Sequence, residues 1–435
     1  GDDGFIIKTL DEDILITGKT SRGTLYGVYE FLRRFVGFRA FTKDVEKVDN
    51  LAELVVPNVY ITEKPDFEYR DAYFRFAFDG AFCAKNRLNT TLGDISAEKG
   101  GSFKFFNCHH SFDDLVPPSE YFEEHPEYFA MNPDGTRTTD HVCLSHPDVL
   151  PIAIENARKV ILECERETSD QIHIGQKDNS NYCHCEKCEA LYEKHGSISA
   201  PTIIFTNNFA DALDDEFPDF TFTFYAYGET DRPPTDPTLR CNPNVVPVLC
   251  GLHHACRSHL LTECGAQDGD ESFLNLYGET EPTIAQDFAD WTKIADRTFI
   301  YDYTINFLNT AQFFSNFETM QPTMKYMHDI GITGYVYNCG DGHYAAFNDL
   351  RNYLLRKIQW DVDCDVEYHM MDFIKAYYGE AAAPYIKEIL DVQTAQTKAT
   401  AHAFDFDWHY QAGFYAPLNA LRLEILWQKA LKADI

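Results

Sequence analysis

Residues 172–188 read Ile-His-Ile-Gly-Gln-Lys-Asp-Asn-Ser-Asn-Tyr-Cys-His-Cys-Glu-Lys-Cys. A short apolar run breaks at Gly175 and at once delivers a carboxylate, Asp178, followed by Asn179. Parallel α/β proteins carry their catalytic groups at the carboxyl ends of strands, which makes Asp178 a candidate catalyst. The competing reading is a helix cap, the commoner fate of an Asp after a strand. Cys183, Cys185 and Cys188 come next. Three thiolates within one turn of chain suit tetrahedral zinc if a fourth ligand arrives from elsewhere. His184, Cys143 or a more distant residue are the candidates for that place, and a disulfide between two of the three is the alternative. Either way the cluster braces the loop, because four ligands leave no open position for a substrate.

Other strand ends carry similar residue types. His109, His110 and Ser111 follow one apolar run; Tyr225, Tyr227 and Glu229 end another. His253 and His254 follow a third. Tyr301, Asp302 and Tyr303 close a fourth, and Asn338, Asp341 and His343 follow a fifth. Glycoside hydrolysis needs two carboxyl groups across the scissile bond, with aromatic and hydrogen-bonding groups to hold the ring. The expected catalytic carboxylates are therefore Asp178, Asp302 and Asp341. The expected sugar contacts are His109, His110, Asn179, Tyr227, Glu229, His254 and Tyr303. Each has a structural competitor. Asp302, between two tyrosines in an apolar strand, needs a buried partner. Asp341 in Cys-Gly-Asp-Gly fits an Asx turn, and Glu229 shares that ambiguity. The histidines also fit metal ligation or a satisfied core position.

These residues need a frame that brings strand ends together. Residues 5–10 and 14–17, separated by Asp-Glu-Asp, predict a hairpin. Residues 20–35 have helical apolar spacing. Beyond Glu68, short apolar runs at 69–76, 103–108, 171–174, 220–225, 245–250, 298–303 and 334–337, with a weaker one at 84–88, alternate with helical stretches such as 147–164, 200–213 and 283–295. About eight β-then-α repeats predict a (β/α)8 barrel of the TIM type, with a doubly wound open sheet as the alternative. No Gly-rich phosphate loop follows the first strand. Residues 347–378 and 381–435 read as helical. The expected organisation is a partial α+β domain over 1–60, the catalytic α/β barrel over 61–362 and a helical region over 363–435. The opening Gly-Asp-Asp-Gly reads as the interior of a longer protein, and the last helix ends in mid-pattern.

Composition narrows the partners. With 435 residues the chain can hold a large barrel and a smaller domain. The formal net charge of −32 argues against nucleic acid and anionic membranes, since no basic stripe offsets the repulsion. No apolar run approaches a membrane span. The 34 Phe, 25 Tyr and 4 Trp mostly predict a large aromatic core, leaving those at strand ends as stacking platforms for sugars. Thirteen scattered cysteines do not make a disulfide scaffold.

Several motifs together resemble one family, the glycoside-hydrolase-like proteins of domain of unknown function 4838. They are Arg22-Gly-Thr-Leu-Tyr-Gly-Val-Tyr-Glu-Phe-Leu; Tyr121-Phe-Glu-Glu-His-Pro-Glu-Tyr-Phe-Ala with Asp134-Gly-Thr-Arg and Val142-Cys-Leu-Ser; the Asp178 loop with its cysteines; and Tyr225-Ala-Tyr-Gly-Glu-Thr-Asp-Arg-Pro-Pro with Tyr301-Asp-Tyr and Leu350-Arg-Asn-Tyr-Leu-Leu. The first is similar to the small α+β domain that precedes many hexosaminidase and glucuronidase barrels. The resemblance implies a barrel and hydrolysis of an oligosaccharide or glycoconjugate. It implies no cofactor for catalysis, and export to the periplasm or exterior of a glycan-degrading bacterium. The stretch from His173 to Asp178 is also similar to the strand-four loop of family 20 hexosaminidases, where an Asp and a Glu stand side by side. Asn179 departs from that pair, so hexosaminidase-like and glucuronidase-like schemes both stay open. A catalytically silent glycan-binding barrel within a larger surface protein is the other class of function.

Overall fold

The computed structural model describes residues 3–89, 95–102, 104–106, 110–163, 170–250, 260–262, 284–307, 309–340, 345–400 and 417–433. The expected hairpin forms from Phe5–Leu10 and Asp13–Gly18, and Tyr60–Glu63 pairs with the other edge of Phe5–Leu10. Helix Ser21–Phe31 covers this small sheet. Thr20 starts it by accepting from the Gly23 amide at 3.0 Å, a side-chain N-cap. The unit docks through Phe5 and Tyr26 onto Trp360, at ring distances of 5.8 and 5.7 Å. A buried ion pair, Arg70 to Asp3 at 2.6 Å, ties it to the first strand of the main sheet.

Among the described residues that main sheet has seven strands, all paired in parallel. Tyr69–Tyr73 lies beside Gly334–Asn338, followed by Phe299–Tyr303, Val245–Leu249, Thr221–Ala226, Asp170–His173 and Lys104–Phe106. The first strand of this sheet thus pairs with its last, and the others follow in descending chain order. Helices Val149–Glu163, Ala200–Leu213, Ile284–Ile294, Met320–Asp329 and Asn348–Trp360 connect or follow the strands. The weak strand expected at 84–88 is not there. Gly80–Lys85 is helical instead, because Asp79 caps it by accepting from the amides of Ala81 and Phe82 at 2.9 and 3.0 Å. Arg87 then turns the chain with a φ of 59°. The helical stretch expected at 347–378 is two helices, Asn348–Trp360 and Val366–Tyr378, the second capped by Asp365 on the Tyr368 amide.

Strand alternation sorts the side chains into two sets. Ile172, Phe222, Phe224, Ile300, Tyr335 and Tyr337 pack outward against the helices in the main core. Tyr69, Val246, Val248, Cys250, Phe299, Tyr301 and Val336 form a separate inner cluster. At its base Phe299 stacks on Tyr69 with ring centres 5.1 Å apart. Gly334 makes room for that ring: a Cβ there would stand 2.3 Å from Phe299 Cδ1. The concave side of the sheet is therefore filled at its amino end and must open, if anywhere, at its carboxyl end.

Candidate active site

At the carboxyl ends the inner side chains are mostly tyrosines. Tyr301 sits centrally, buried in the core, with Tyr73, Tyr225 and Tyr303 at 5.6, 6.0 and 5.4 Å between ring centres. Asn338, at the end of the neighbouring strand, donates to the Tyr301 hydroxyl at 2.8 Å. Tyr227 extends the row from Tyr225 at 6.2 Å, and Phe307 extends it from Tyr303 at 5.7 Å. Tyr73, Tyr225, Tyr227 and Tyr303 are only partly buried. Together these rings make a floor of aromatic faces and hydroxyls, suited to stacking and hydrogen bonding.

The loop after Asp170–His173 reaches over this floor. Its base is fixed by buried polar groups. Ser111 donates to the His173 carbonyl at 2.6 Å and accepts from the Gly175 amide at 2.8 Å. His173 shares a hydrogen bond with Thr223 at 2.8 Å and its ring lies 4.0 Å from that of Tyr225. Gln176 is buried and donates to the Tyr182 hydroxyl at 2.7 Å while accepting from Thr230 at 3.2 Å. Lys177 pairs with Asp113 at 2.8 Å and donates to the Thr139 carbonyl at 2.8 Å. Asp178 itself is exposed. The Tyr227 hydroxyl donates to the carbonyl of Lys177, the residue before Asp178, at 3.2 Å. Burial first, and then the Asp178 charge, push the Tyr227 hydroxyl well above the ordinary phenol range. Tyr303 is raised too, by burial, then Cys250, then Asp178. The Asp178 charge thus acts on two floor tyrosines.

The remaining expected residues fall in different places. His110 is exposed and its Nδ1 is bonded to the Gln176 carbonyl at 2.6 Å, so it supports the same loop. Asn179 is turned toward the Arg137–Val142 strand: its carbonyl meets His141 Nε2 at 3.2 Å, and its side chain accepts from the Asn181 amide at 2.9 Å. It holds the loop and does not stand beside Asp178 as a second acid. Glu229 is half-buried in the turn Gly228–Thr230, where its charge acts on Tyr182 and Asp231. Asp302 faces the other way. It is 1% exposed, on the helix-covered side of the sheet, and accepts a hydrogen bond from the Tyr335 hydroxyl. The structure therefore does not bring Asp302 to Asp178. His109, His254 and Asp341, with His253 and His343, lie outside the described residues.

Two carboxyl groups that the sequence did not single out are strongly perturbed. Burial, then the nearby Asp287, raise Asp231 to about 8. Burial raises Asp287 to about 7. Asp231 follows the Thr221–Ala226 strand, and its carbonyl accepts from the Trp291 indole at 2.7 Å. Tyr73, His173, Gln176 and Tyr182 were also missed as builders of the site. Tyr73 was legible as the inner-face end of a strand; the others needed the loop's course.

The three cysteines gather with Cys143, just beyond the Arg137–Val142 strand. All four are buried, none is in a disulfide, and their sulfurs lie within 4.8 Å of one another. His184 is not among them; it points outward to Glu189 at 2.6 Å.

The family described as a domain of unknown function, DUF4838, matches residues 40–391. The chain belongs to the DUF4838 family. No curated protein matches this DUF4838 chain. Solved structures similar to it include a family 89 glycoside hydrolase from Clostridium perfringens in complex with 2-acetamido-1,2-dideoxynojirmycin. The identity is 12% over 94% of this chain and 50% of that one, with a TM-score of 0.48. An enzyme of glycoside hydrolase family 138 targeting pectin rhamnogalacturonan II matches at 10% identity over 91% of this chain and 50% of that one, with a TM-score of 0.43. Bee venom hyaluronidase in complex with a hyaluronic acid tetramer matches at 10% identity over 68% of this chain and 100% of that one, with a TM-score of 0.35. The DUF4838 chain spans about half the length of the first two. No helix among its described residues is long and apolar enough to cross a membrane.

Proposed function

We propose that this DUF4838 protein is a glycoside hydrolase acting on the non-reducing or reducing end of a complex glycan. The observation that carries the reading is the exposed Asp178 carboxylate, whose neighbour Lys177 is bonded to Tyr227 of a tyrosine floor at the carboxyl end of a parallel sheet. Tyrosine faces and hydroxyls suit a sugar ring, and hydrolysis needs a carboxyl group beside the glycosidic oxygen. In this reading Asp178 is the general acid, protonating the leaving oxygen, with Tyr227 holding its loop through the Lys177 carbonyl. The second carboxyl group comes from Glu229 or Asp341. The sheet closes as a full (β/α)8 barrel, a closure supported by the pairing of the first strand with the last. Export to the periplasm or cell exterior is part of the same proposal.

The test is a panel of oligosaccharides and glycoconjugates incubated with the purified protein, with released monosaccharides separated and identified. Release of one monosaccharide from one class of chain end, lost in Asp178→Asn, supports the proposal. Saturable glycan binding with no release from any member would overturn it in favour of a binding barrel.

A further inference from the structure

The thiol cluster lies below the Asp178 loop, at the junction of three segments. Cys143 ends the hairpin of Phe129–Met131 and Arg137–Val142. Cys183 and Cys185 belong to the loop that began at Asp178. Cys188 is in the first turn of helix Glu186–His195. The sulfurs of Cys143 and Cys185 are 3.7 Å apart. A zinc–thiolate bond of about 2.3 Å puts neighbouring sulfurs of a tetrahedron about 3.8 Å apart, so this pair already has the spacing of a tetrahedral edge. A disulfide would hold them at about 2.0 Å. Four converging donors with no fifth open position match a structural metal site, whereas a catalytic one keeps a place for water.

The surroundings suit bound thiolates. The Met131 amide donates to Cys183 Sγ at 3.4 Å, and Ser145 Oγ lies 3.1 Å from Cys188 Sγ and 3.5 Å from Cys185 Sγ. Such donors spread the charge of a metal tetrathiolate and fix its ligands. Cys188, in a helix's first turn, also meets the positive end of the helix dipole. The backbone is arranged for the same purpose, with the His184 amide donating to the Met131 carbonyl at 2.7 Å across the two segments. Soft sulfur donors alone, with no carboxylate, select zinc over magnesium, calcium or manganese.

We infer that Cys143, Cys183, Cys185 and Cys188 form a closed tetrathiolate zinc site that clamps the Arg137–Val142 hairpin to the loop carrying Asp178. The other ties between these segments are non-covalent contacts: Lys177 to the Thr139 carbonyl at 2.8 Å, Asn181 to Asp140 at 2.8 Å, His141 to the Asn179 carbonyl at 3.2 Å, and the His141 ring on Tyr182 at 4.7 Å. A metal clamp supplies what they lack, since structural zinc binding is coupled to local folding. The inference does not depend on the hydrolase reading.

The experiment uses the whole chain, purified without an affinity metal. Elemental analysis is expected to find about one zinc per chain, as one structural site requires. Replacement by cobalt(II) is expected to give the intense visible absorption of a tetrahedral tetrathiolate. Cys143→Ser is expected to lose most of the zinc, and Cys241→Ser, a buried thiol in another part of the fold, to keep it. Removing the metal should lower Tm, and zinc alone should restore it. Folded wild-type protein with no zinc, and a mass lower by two hydrogens per bridge, would overturn the inference in favour of disulfides. Metal-free folded protein with four free thiols would overturn it as well. Should Cys143→Ser fail to fold, the wild-type metal content and the cobalt spectrum still decide.

Discussion

Replacing Asp178 with Asn tests the site at its centre. The side chain is exposed and sits beyond the strand, so its carboxylate adds little packing. Exposed substitutions away from caps and cores change stability by roughly 0.5 kcal/mol or less, which here moves Tm by less than about 2 °C. The chemical loss is larger. Removing a general acid costs about 10²–10⁴ in rate, or roughly 3–5 kcal/mol of transition-state stabilisation. The expected outcome is a loss of kcat of that size on the natural glycan, with KM and Tm nearly unchanged. A second arm separates acid catalysis from mere positioning. With an aryl glycoside whose leaving phenol is strongly acidic, little protonation is needed, and most of the deficit should disappear. Near-normal turnover of the natural substrate by Asp178→Asn would refute the reasoning. So would an equal loss on both substrates, which would make Asp178 a positioning residue. A large fall in Tm would mean that it caps the loop.

Three further changes probe the surroundings. Asp302→Ala leaves the buried Tyr335 hydroxyl without that acceptor, a loss of about 1–3 kcal/mol seen in urea unfolding; activity per folded molecule should persist, and inactive but fully stable protein would contradict its placement on the helix side. Asp231, held near 8 against about 3.9 in an unfolded chain, keeps in the folded state a proton that the unfolded state gives up between those values. Stability should therefore fall as pH rises from about 4 to 8, and Asp231→Asn should flatten that fall; an identical pH dependence in the variant would refute it. Lys357 is lowered to about 7 by burial and by Arg87 and Arg33, against about 10.4 unfolded. Its folded state binds fewer protons between those values, so stability should rise with pH across that window, and Lys357→Met should remove the rise in denaturation curves at pH 7 and 9.

Asp302 and Asp178 show how far the site could be read from the sequence. Both are carboxylates at the end of an apolar run, and residue type alone did not separate them. Period-two geometry does. In Phe299-Ile-Tyr-Asp-Tyr the aromatic residues 299, 301 and 303 share one face, so Asp302 must share the other with Ile300. Once the tyrosines are assigned to the inner face, Asp302 is excluded from the floor. Tyr73 follows by the same count from Tyr69. Hairpin, helices and parallel strands were legible for the same reason, since each depends on local periodicity. The strand expected at 84–88 failed because a single Asp79 cap outweighs a short apolar run. Cys143 could only be a candidate fourth member of the cluster, since its approach depends on how a hairpin folds back on a distant loop. The roles of Gln176, Tyr182 and His110 were hidden likewise, for their partners lie on other segments.

The site is built from two kinds of support, and they place different demands on the chain. The floor tyrosines stand on hydrogen-bonded strands and interlock ring against ring, so their positions are set by the sheet itself. Asp178 stands on a loop, where a displacement of about 1 Å can cost roughly 100-fold in rate. Its loop is held by Ser111 and Gln176 at the strand end, and by Asn179, Lys177 and Tyr182 against the hairpin. His141 stacks on Tyr182 at 4.7 Å, and this stack joins the hairpin to the loop between the carboxylate and the first of the loop's cysteines. The hairpin therefore acts as a buttress for Asp178 while contributing no side chain to the floor cluster. If the protein hydrolyses glycans as proposed, damage to the floor should weaken substrate binding, because it removes surface for the sugar to rest on. Damage to the buttress should then leave binding largely intact and slow turnover, because it frees the carboxylate proposed as the acid.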